Sequence, residues 1–203
     1  MTVFLPTIPE ELRSERLILR GARASDSNSI YQAVRLSLPD LKQWMPWATD
    51  DYSLAGCESN LRQAAQKFSD RSDMRFLAFE KSTGQFVVSS GLHPCDNHSS
   101  IAWEVPKFEI GYWCVSSYCG RGYVSETVRA LSRFAFEHLN AARIQIRCAD
   151  DNVASARVAE NCGFVLEGIH QNDSRNPDGR LCSTRVYALT KLSQLQTSNR
   201  LKA

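Results

Sequence analysis

A short glycine loop, Cys119-Gly120-Arg121-Gly122, carries residue types that suit a phosphate group. It follows an alternating segment, Glu109–Val115, that is typical of a buried strand, and it precedes Tyr123–Leu139, whose apolar residues recur at helical spacing. A helix that begins here directs free backbone N–H groups and the positive end of its dipole at an anion. The glycines let the backbone approach the anion without an intervening Cβ, and Arg121 adds a charge at the rim. The stretch therefore predicts a phosphate-binding loop.

A second motif, Asn152–Phe164, lies downstream. Asn152 fits a helix N-cap and Gly163 fits the position just past a helix end, which predicts a helix of about three turns between them. This helix follows an alternating strand, Arg143–Cys148, which a helical crossover joins to the first strand and which we expect to run parallel to it. Both helices then begin at one edge of the sheet, a common ligand position in α/β proteins.

Other kinds of site are not indicated. No Gly-Lys-Ser/Thr follows the glycines, so the ATP P-loop is absent, and the six-residue dinucleotide fingerprint does not fit. Seven cysteines without a Cys-x-x-Cys pair suggest neither a disulfide framework nor a zinc site. His93 and His138 have no partner at ligand spacing, so we predict that each is structural or solvent-facing and that no metal is bound.

Length and composition place these motifs in one domain. The chain has 203 residues, and its 24 basic and 22 acidic residues leave a net charge of +2, which gives no electrostatic case for nucleic-acid binding. No signal peptide is recognised and no apolar run approaches the ~18 residues of a membrane helix. We therefore expect a cytoplasmic protein without a membrane partner. Strands and helices succeed each other without repeats or a linker, which predicts an α/β domain with a mixed sheet.

The remaining segments predict the elements around the motifs. Residues 1–15 form a polar lead-in, the domain spans residues 16–191, and residues 192–203 form a polar tail that is expected to fray. The other predicted elements are a strand at Arg16–Arg20, a helix from Ser25-Asp26 to about Leu36, a helix from about Leu54 to Phe68, a hairpin of Phe76–Phe79 with Phe86–Leu92, and a final hairpin from Val165–Gly168 to Arg185–Leu189.

Trp44 and Trp47 flank a proline in the segment after the first predicted helix. This segment suits neither a helix nor a strand, and it carries a large apolar surface for a loop. Two interpretations stay open. The rings either close the core or form the wall of a substrate pocket, because binding residues often lie on loops.

The motifs together resemble the GNAT superfamily of acyl-CoA N-acyltransferases. The resemblance is carried by Glu-Ile-Gly-Tyr-Trp from Glu109, Gly-Arg-Gly-Tyr-Val-Ser-Glu from Gly120, and Asn-Val-Ala-Ser-Ala-Arg-Val-Ala-Glu-Asn-Cys-Gly-Phe from Asn152. The chain is most similar to the RimJ and RimL branch of ribosomal-protein N-terminal acetyltransferases, over roughly Arg16 to Leu189. This implies an α/β (α+β) fold, a single domain whose mixed, mostly antiparallel sheet is flanked by helices and splits into a V between its two central parallel strands.

Three positions depart from the family pattern. Cys119 and Val124 stand where the glycine loop often has Gln or Arg and Gly or Ala, which is tolerable because backbone N–H groups would make the phosphate contacts. Ser183 stands where this branch often has an Asp, so no substrate contact is carried over to that position.

The resemblance implies acetyl-CoA as the co-substrate and assigns residues to its parts. The pantetheine would lie in the V and pair with the backbone at Cys114 and Val115, and Asn152 would hold the pantetheine or cap its helix. The pyrophosphate would lie on Cys119, Gly120, Arg121, Gly122, Tyr123, Val124 and Ser125.

Acetyl transfer from a thioester to an amine needs a neutral amine, a stabilised oxyanion and a proton for the thiolate. The resemblance assigns Ser155 as the general acid, and the alternative is that its hydroxyl serves the free N–H groups of its own helix. Glu109 is the candidate base, directly or through a water, and the alternative is a carboxylate hydrogen-bonded in the sheet. Glu104 and Glu80 are weaker candidates. Cys119, in the phosphate loop, is placed too far from the sulfur to carry an acyl group.

The sequence thus favours an acetyl-CoA-dependent N-acetyltransferase that works by direct transfer in a ternary complex, as a monomer or a homodimer. The favoured acceptor is the primary amine of a protein or peptide N-terminus, bound beside Trp44 and Trp47. Two alternatives stay open, namely a small-molecule amine (a polyamine, an amino acid or an aminoglycoside-like compound) and a catalytically silent acyl-CoA-binding domain.

Overall fold

Eight strands form one sheet, and four helices lie against it in the computed structural model, which describes residues 8–95 and 105–196. The strands are β1 (Glu11–Arg13), β2 (Leu17–Gly21), β3 (Met74–Glu80), β4 (Phe86–Pro94), β5 (Lys107–Cys114), β6 (Arg143–Ala149), β7 (Val165–Arg175) and β8 (Leu181–Leu189). The helices are α1 (Ser27–Leu41), α2 (Leu54–Ser69), α3 (Tyr123–His138) and α4 (Val153–Asn161).

The strand order β1-β2-β3-β4-β5-β6-β8-β7 places a parallel pair inside an otherwise antiparallel sheet. β5 and β6 pair only where Lys107–Glu109 face Arg143–Gln145, whereas β5 stays paired with β4 as far as Cys114. The two parallel strands therefore diverge toward their carboxyl ends. The predicted mixed, mostly antiparallel sheet with a V-shaped split is confirmed.

The alternation of side chains along the strands divides the core into two layers. On β5, Phe108 and Ile110 face α3 and α4, where they pack with Leu131 of α3 and Ala159 of α4. The opposite face packs against α1 and α2, and its buried cluster includes Ile30, Val34, Leu61, Leu77 and Phe86. The sheet thus presents one face to the helices that follow the central strands and the other to the first two helices.

The turn between β1 and β2 holds the N-terminus of α3. Gly122 precedes α3 in the left-handed region at φ 81°, and its carbonyl accepts the Glu126 N–H at 3.0 Å. The Glu126 carboxylate accepts bonds of 2.7 Å from the Arg16 backbone, the Arg16 guanidinium and the Ser14 hydroxyl. Burial alone would raise the pKa of Glu126, but these donors outweigh it and hold the pKa below its usual range. The ionised carboxylate thus fixes the loop ahead of α3 to the sheet.

The first helix is longer than the sequence indicates. α1 continues past Leu36 to Leu41 with Pro39 inside it, because Leu38 and Leu41 extend its buried stripe. The buried Ser37 adds a tie, since its hydroxyl accepts the Ser116 N–H at 3.0 Å. These contacts offset the one helical hydrogen bond that a proline removes.

Both predicted domain ends were drawn too tightly. β1 lies within the predicted lead-in, where it pairs with β2 through Leu12 and Leu19. At the other end, Leu195 is buried and Gln196 N–H donates to the Cys162 carbonyl at 3.1 Å, so residues 192–196 pack rather than fray. The predicted loop around residues 96–104 lies outside the described residues. No helix in the described ranges has the length and apolar character to span a membrane.

Replacing Gly163 with alanine tests how tightly the C-terminal segment packs. Gly163 has φ 90°, and an added Cβ would overlap the Gln194 carbonyl oxygen, whereas Gly84 has φ 70° and nothing within 4 Å. Left-handed strain alone costs about 1–2 kcal/mol. We expect Gly84→Ala to lower the free energy of unfolding by that amount and Gly163→Ala to lower it clearly further, as measured by urea denaturation. Equal losses would contradict the packing of residues 192–196 on α4.

Candidate active site

A cleft of about 920 Å³ opens where β5 and β6 diverge. Val115 N–H donates to the Val87 carbonyl at 3.0 Å, so by strand alternation the backbone groups of Cys114 and Tyr112 point away from β4 and into the cleft. The predicted site residues that line the cleft are Trp44, Cys114, Cys119, Gly120, Gly122, Tyr123, Val124, Ser125, Asn152 and Ser155.

The glycine loop presents unpaired donors to one end of this cleft. Gly120 and Gly122 have φ values of 75° and 81°, and a Cβ at Gly120 would meet nothing within 4 Å. The first N–H groups of α3 have no acceptor within the helix, and among the described residues no backbone N–H from 120 to 125 finds a protein acceptor. Donors at a helix N-terminus with open space before them suit a phosphate group.

The predicted backbone contact at Val115 does not fit this geometry, and the side chain of Arg121 lies outside the cleft although its backbone N–H has no acceptor among the described residues. Both backbone groups of Val115 are engaged, because its N–H bonds Val87 and its carbonyl accepts the Tyr118 N–H at 2.8 Å, so no pairing with a cleft ligand is left there. Arg121 lines a separate groove along the outer side of α3, with its guanidinium 5.2 Å from the centre of the Tyr118 ring. Cys119 is exposed at the loop, and its thiol points to the Val115 carbonyl at 3.7 Å.

Ser155 and Tyr112 bridge the two sides of the V. The Asn152 side chain accepts the Ser155 N–H at 3.0 Å, so Asn152 is the N-cap of α4 as predicted. The Ser155 hydroxyl lies 2.9 Å from the Tyr112 hydroxyl, which also lies 3.1 Å from the Ser155 carbonyl oxygen. The hydroxyl is therefore not occupied by the N–H groups of its own helix.

Burial keeps Tyr112 protonated. Desolvation raises the pKa of its phenol, and the Ser155 hydrogen bond only partly opposes this. A phenol that retains its proton donates a hydrogen bond either to the Ser155 carbonyl or to the Ser155 hydroxyl. In the second arrangement the serine can direct its own proton toward the cleft or toward the neighbouring Cys148 thiol, which also lines the cleft.

A second cavity of about 600 Å³ lies on the α1 and α2 side of the sheet. Trp47 lines it and is 42% exposed, with its ring centre 6.0 Å from that of Trp113 and 5.9 Å from that of Tyr52. Trp47 is thus part of a cavity wall rather than the core, whereas Trp44 borders the first cleft. The two cavities share Met45 and the β5 segment from 111 to 113, so they meet across one strand.

Neither of the two predicted carboxylate bases that the structure describes, Glu109 and Glu80, lines either cavity. Glu109 accepts a bond from the Gln145 side chain at 3.0 Å and lines neither cavity, which matches the alternative of a carboxylate bonded in the sheet. Glu80 is bound by the Tyr123 hydroxyl and by Thr83 at 2.8 Å. Glu104 lies outside the described residues. Ser183 is buried at the β7–β8 pairing, where its hydroxyl accepts the Asn172 N–H at 3.2 Å.

Two residues of this region carried no signal in the sequence. Tyr112 is one of several aromatic residues in an alternating strand, and only its neighbour across the V distinguishes it. His93 pairs with Asp73, 20 positions earlier, through Nδ1 and Oδ1 at 2.6 Å, and it lines the second cavity. Within residues 8–95 and 105–196, no cluster of His, Cys, Asp or Glu is arranged to hold a metal ion.

The fold and cleft define an N-acetyltransferase, as the comparisons with known proteins establish. Residues 16–165 match the family described as the acetyltransferase (GNAT) domain. The chain therefore belongs to the GNAT acetyltransferase family, and the predicted resemblance is confirmed.

Relatives and solved structures agree with this assignment. The uncharacterized N-acetyltransferase p20 of Bacillus licheniformis is 28% identical, covering 90% of this chain and 97% of its own. The ribosomal-protein-serine acetyltransferase of Escherichia coli strain K12 is 40% identical over 60 residues, 30% of this chain and 34% of its own. RimL, the ribosomal L7/L12 alpha-N-protein acetyltransferase solved with coenzyme A, superposes with a TM-score of 0.81 at 23% identity, covering 91% of this chain and 99% of its own.

Replacing Gly120 with aspartate tests the loop as an anion site. The new carboxylate would point into open space at the loop and repel a phosphate, so we expect affinity for coenzyme A to fall ~10-fold or more, within the range of a 1–3 kcal/mol loss. Gly84→Asp is the matched control, because it has the same left-handed strain and open surroundings in the β3–β4 turn. Titration calorimetry measures the affinity of both variants for coenzyme A. Equal affinities would mean that the pyrophosphate does not bind at this loop.

Proposed function

We propose that the protein transfers the acetyl group of acetyl-CoA to the primary amine of a protein or peptide N-terminus, by direct transfer in a ternary complex. The observation that carries the proposal is the meeting of the two cavities at residues 111–113 of β5. A donor in the V and an acceptor in the second cavity would approach each other across this segment, so no acyl-enzyme intermediate is needed. Cys119 lies in the glycine loop, which agrees with direct transfer.

The cleft fits acetyl-CoA as co-substrate. The pyrophosphate would be held by backbone N–H groups from Gly120 to Ser125, and the pantetheine would pair with the backbone groups of Tyr112 and Cys114 that face the V. Two solved neighbours support this use. RimL is described in complex with coenzyme A, and the microcin C7 self-immunity acetyltransferase MccE in complex with acetyl-CoA and AMP.

Ser155 and Tyr112 supply a proton to the leaving sulfur in this proposal. The serine hydroxyl would give its proton to the thiolate, and the neighbouring phenol, 2.9 Å away, would restore it. Because its pKa is raised, the Tyr112 phenol stays protonated and can donate its proton to Ser155 after the serine has lost its own. Asn152 positions Ser155 by holding its backbone N–H.

The second cavity fits the end of a peptide chain. Its walls combine the Trp47 and Tyr52 rings with polar groups, including Asp51 and Arg75, so it offers partners for a backbone as well as apolar contact. Relatives support a protein acceptor, because one is described as a ribosomal-protein-serine acetyltransferase and another as a ribosomal L7/L12 alpha-N-protein acetyltransferase.

Thiol release from acetyl-CoA across a panel of amines tests the function. The panel holds ribosomal-protein N-terminal peptides, free amino acids, polyamines and aminoglycosides, and we expect turnover on the peptides. Turnover on small amines alone would show that the acceptor is a small-molecule amine and not a peptide N-terminus. Silence on all amines, with coenzyme A still bound in calorimetry, would support a silent binding domain instead.

Ser155→Ala tests the proton donor in the same assay. We expect the turnover number on the best amine to fall ~10-fold or more, because general acid catalysis typically contributes at least that much. Coenzyme A affinity and melting temperature should stay unchanged, since the cap uses the Ser155 backbone N–H, which alanine retains. Asn152→Ala is the contrasting variant, and it should cost about 1 kcal/mol of stability. If Ser155→Ala turned over as fast as the wild type, a group other than Ser155 would be the proton donor.

A further inference from the structure

His93 and Asp73 form a paired imidazole and carboxylate beside the second cavity. Their Nδ1 and Oδ1 atoms lie 2.6 Å apart, and the His93 side chain remains 40% exposed. Burial tends to raise the pKa of Asp73, but the hydrogen bond and charge of His93 outweigh it and hold the pKa below its usual range. An ionised Asp73 accepts the Nδ1 proton, so Nε2 is the ring nitrogen that faces away from the carboxylate and is placed to exchange a proton.

Two glycines make room for the imidazole ring. An added Cβ at Gly91 of β4 would lie 2.8 Å from Cε1 and 2.9 Å from Nε2 of His93. An added Cβ at Gly111 of β5 would lie 3.4 Å from Nε2. The ring therefore lies over the pair Gly91 and Gly111, which are register partners in the two neighbouring strands.

This position brings Nε2 to the junction of the two cavities. Gly111 lines both the V and the second cavity, and His93 Nε2 lies over it. No other histidine among the described residues lines either cavity, since neither His138 of α3 nor His170 of β7 is among the lining residues. Nε2 is thus an exposed proton acceptor at the point where an acceptor amine would meet the donor.

We propose that His93 is the general base of the transfer and that Asp73 is its positioning residue. The inference rests on the proposed function and names the group that prepares the amine. His93 Nε2 takes one proton from the incoming ammonium group and later releases it to solvent. The neutral nitrogen forms a C–N bond to the acetyl carbon while the C–S bond breaks. The nitrogen then loses its second proton to solvent, and a proton from solvent restores the Ser155 and Tyr112 hydroxyls after they protonate the thiolate, so the net reaction releases one proton.

Other charged groups surround His93 without replacing it. Arg75 of β3 and Lys67 of α2 act on Asp73 and favour its ionised form. Asp51 lines the cavity, and Glu109 faces His93 across the β4–β5 pairing but is hydrogen-bonded to Gln145. The carboxylate that touches the imidazole is therefore Asp73.

The pH dependence of His93→Gln tests the base. The assay is thiol release with the peptide acceptor at saturating acetyl-CoA, and we expect kcat/KM to fall ~100-fold near pH 6.5. The deficit should shrink to a few-fold near pH 9.5, because an α-amino group with a pKa of about 7.7–8.0 then arrives already neutral. His170→Gln is the matched control, since His170 also pairs with an aspartate, Asp173, at 3.5 Å but lies on β7. It should follow the wild type at every pH.

A second variant keeps the test independent of the histidine's packing. Asp73→Asn keeps a side-chain acceptor for Nδ1 but removes the charge, so we expect a smaller loss with the same recovery at high pH. If His93→Gln lost the same factor in kcat/KM at every pH, or kept a rate near that of the wild type, His93 would not be the general base. Either result would leave the proposed function intact. A wild-type enzyme that releases no thiol with any amine would overturn both, with coenzyme A calorimetry reporting whether the cleft still binds.

Discussion

The separation of β5 from β6 is the constraint on which the rest of the site depends. A parallel pair that continued would satisfy the backbone groups of Tyr112 and Cys114, but pairing ends at Glu109 and leaves them facing an open wedge. Unpaired backbone groups are costly in a buried position, so the wedge has to meet water or a ligand. The helices that follow the two strands, α3 and α4, both begin at the side where the strands diverge, and residues at both N-termini line the cleft.

Several contacts hold the wedge at its present width. The Tyr112 hydroxyl reaches across it to Ser155, so β5 and α4 are tied near the middle of the gap. At the loop end, Glu126 accepts three hydrogen bonds from the turn between β1 and β2, which anchors α3 to the far part of the sheet. The cleft is thus bounded by side-chain hydrogen bonds between distant parts of the chain.

The sequence predicted those parts of the site that are built from residues close together in the chain. The glycine loop before α3 and the Asn152 cap of α4 follow from residue types within one turn of each other, and both are as expected. The strand pairing that occupies Val115 and the contact between His93 and Asp73 depend on which strands become neighbours. No pattern within a window of residues carries that information, so the pairing of His93 with Asp73 could not be predicted from the sequence. The same limit explains why Trp44 and Trp47, three positions apart, border different cavities.

The packing of residues 192–196 makes them part of the same folded unit as α3 and α4. Arg129 of α3 donates to the Gln196 carbonyl at 2.8 Å and to the Asn161 carbonyl at 3.0 Å, and Gln196 in turn bonds the Cys162 carbonyl. The last described residues therefore couple the middle of α3 to the C-terminal end of α4. A boundary drawn by composition at Lys191 would sever that coupling. The polar composition after Lys191 indicates exposure to solvent, but it does not mark the end of the folded domain.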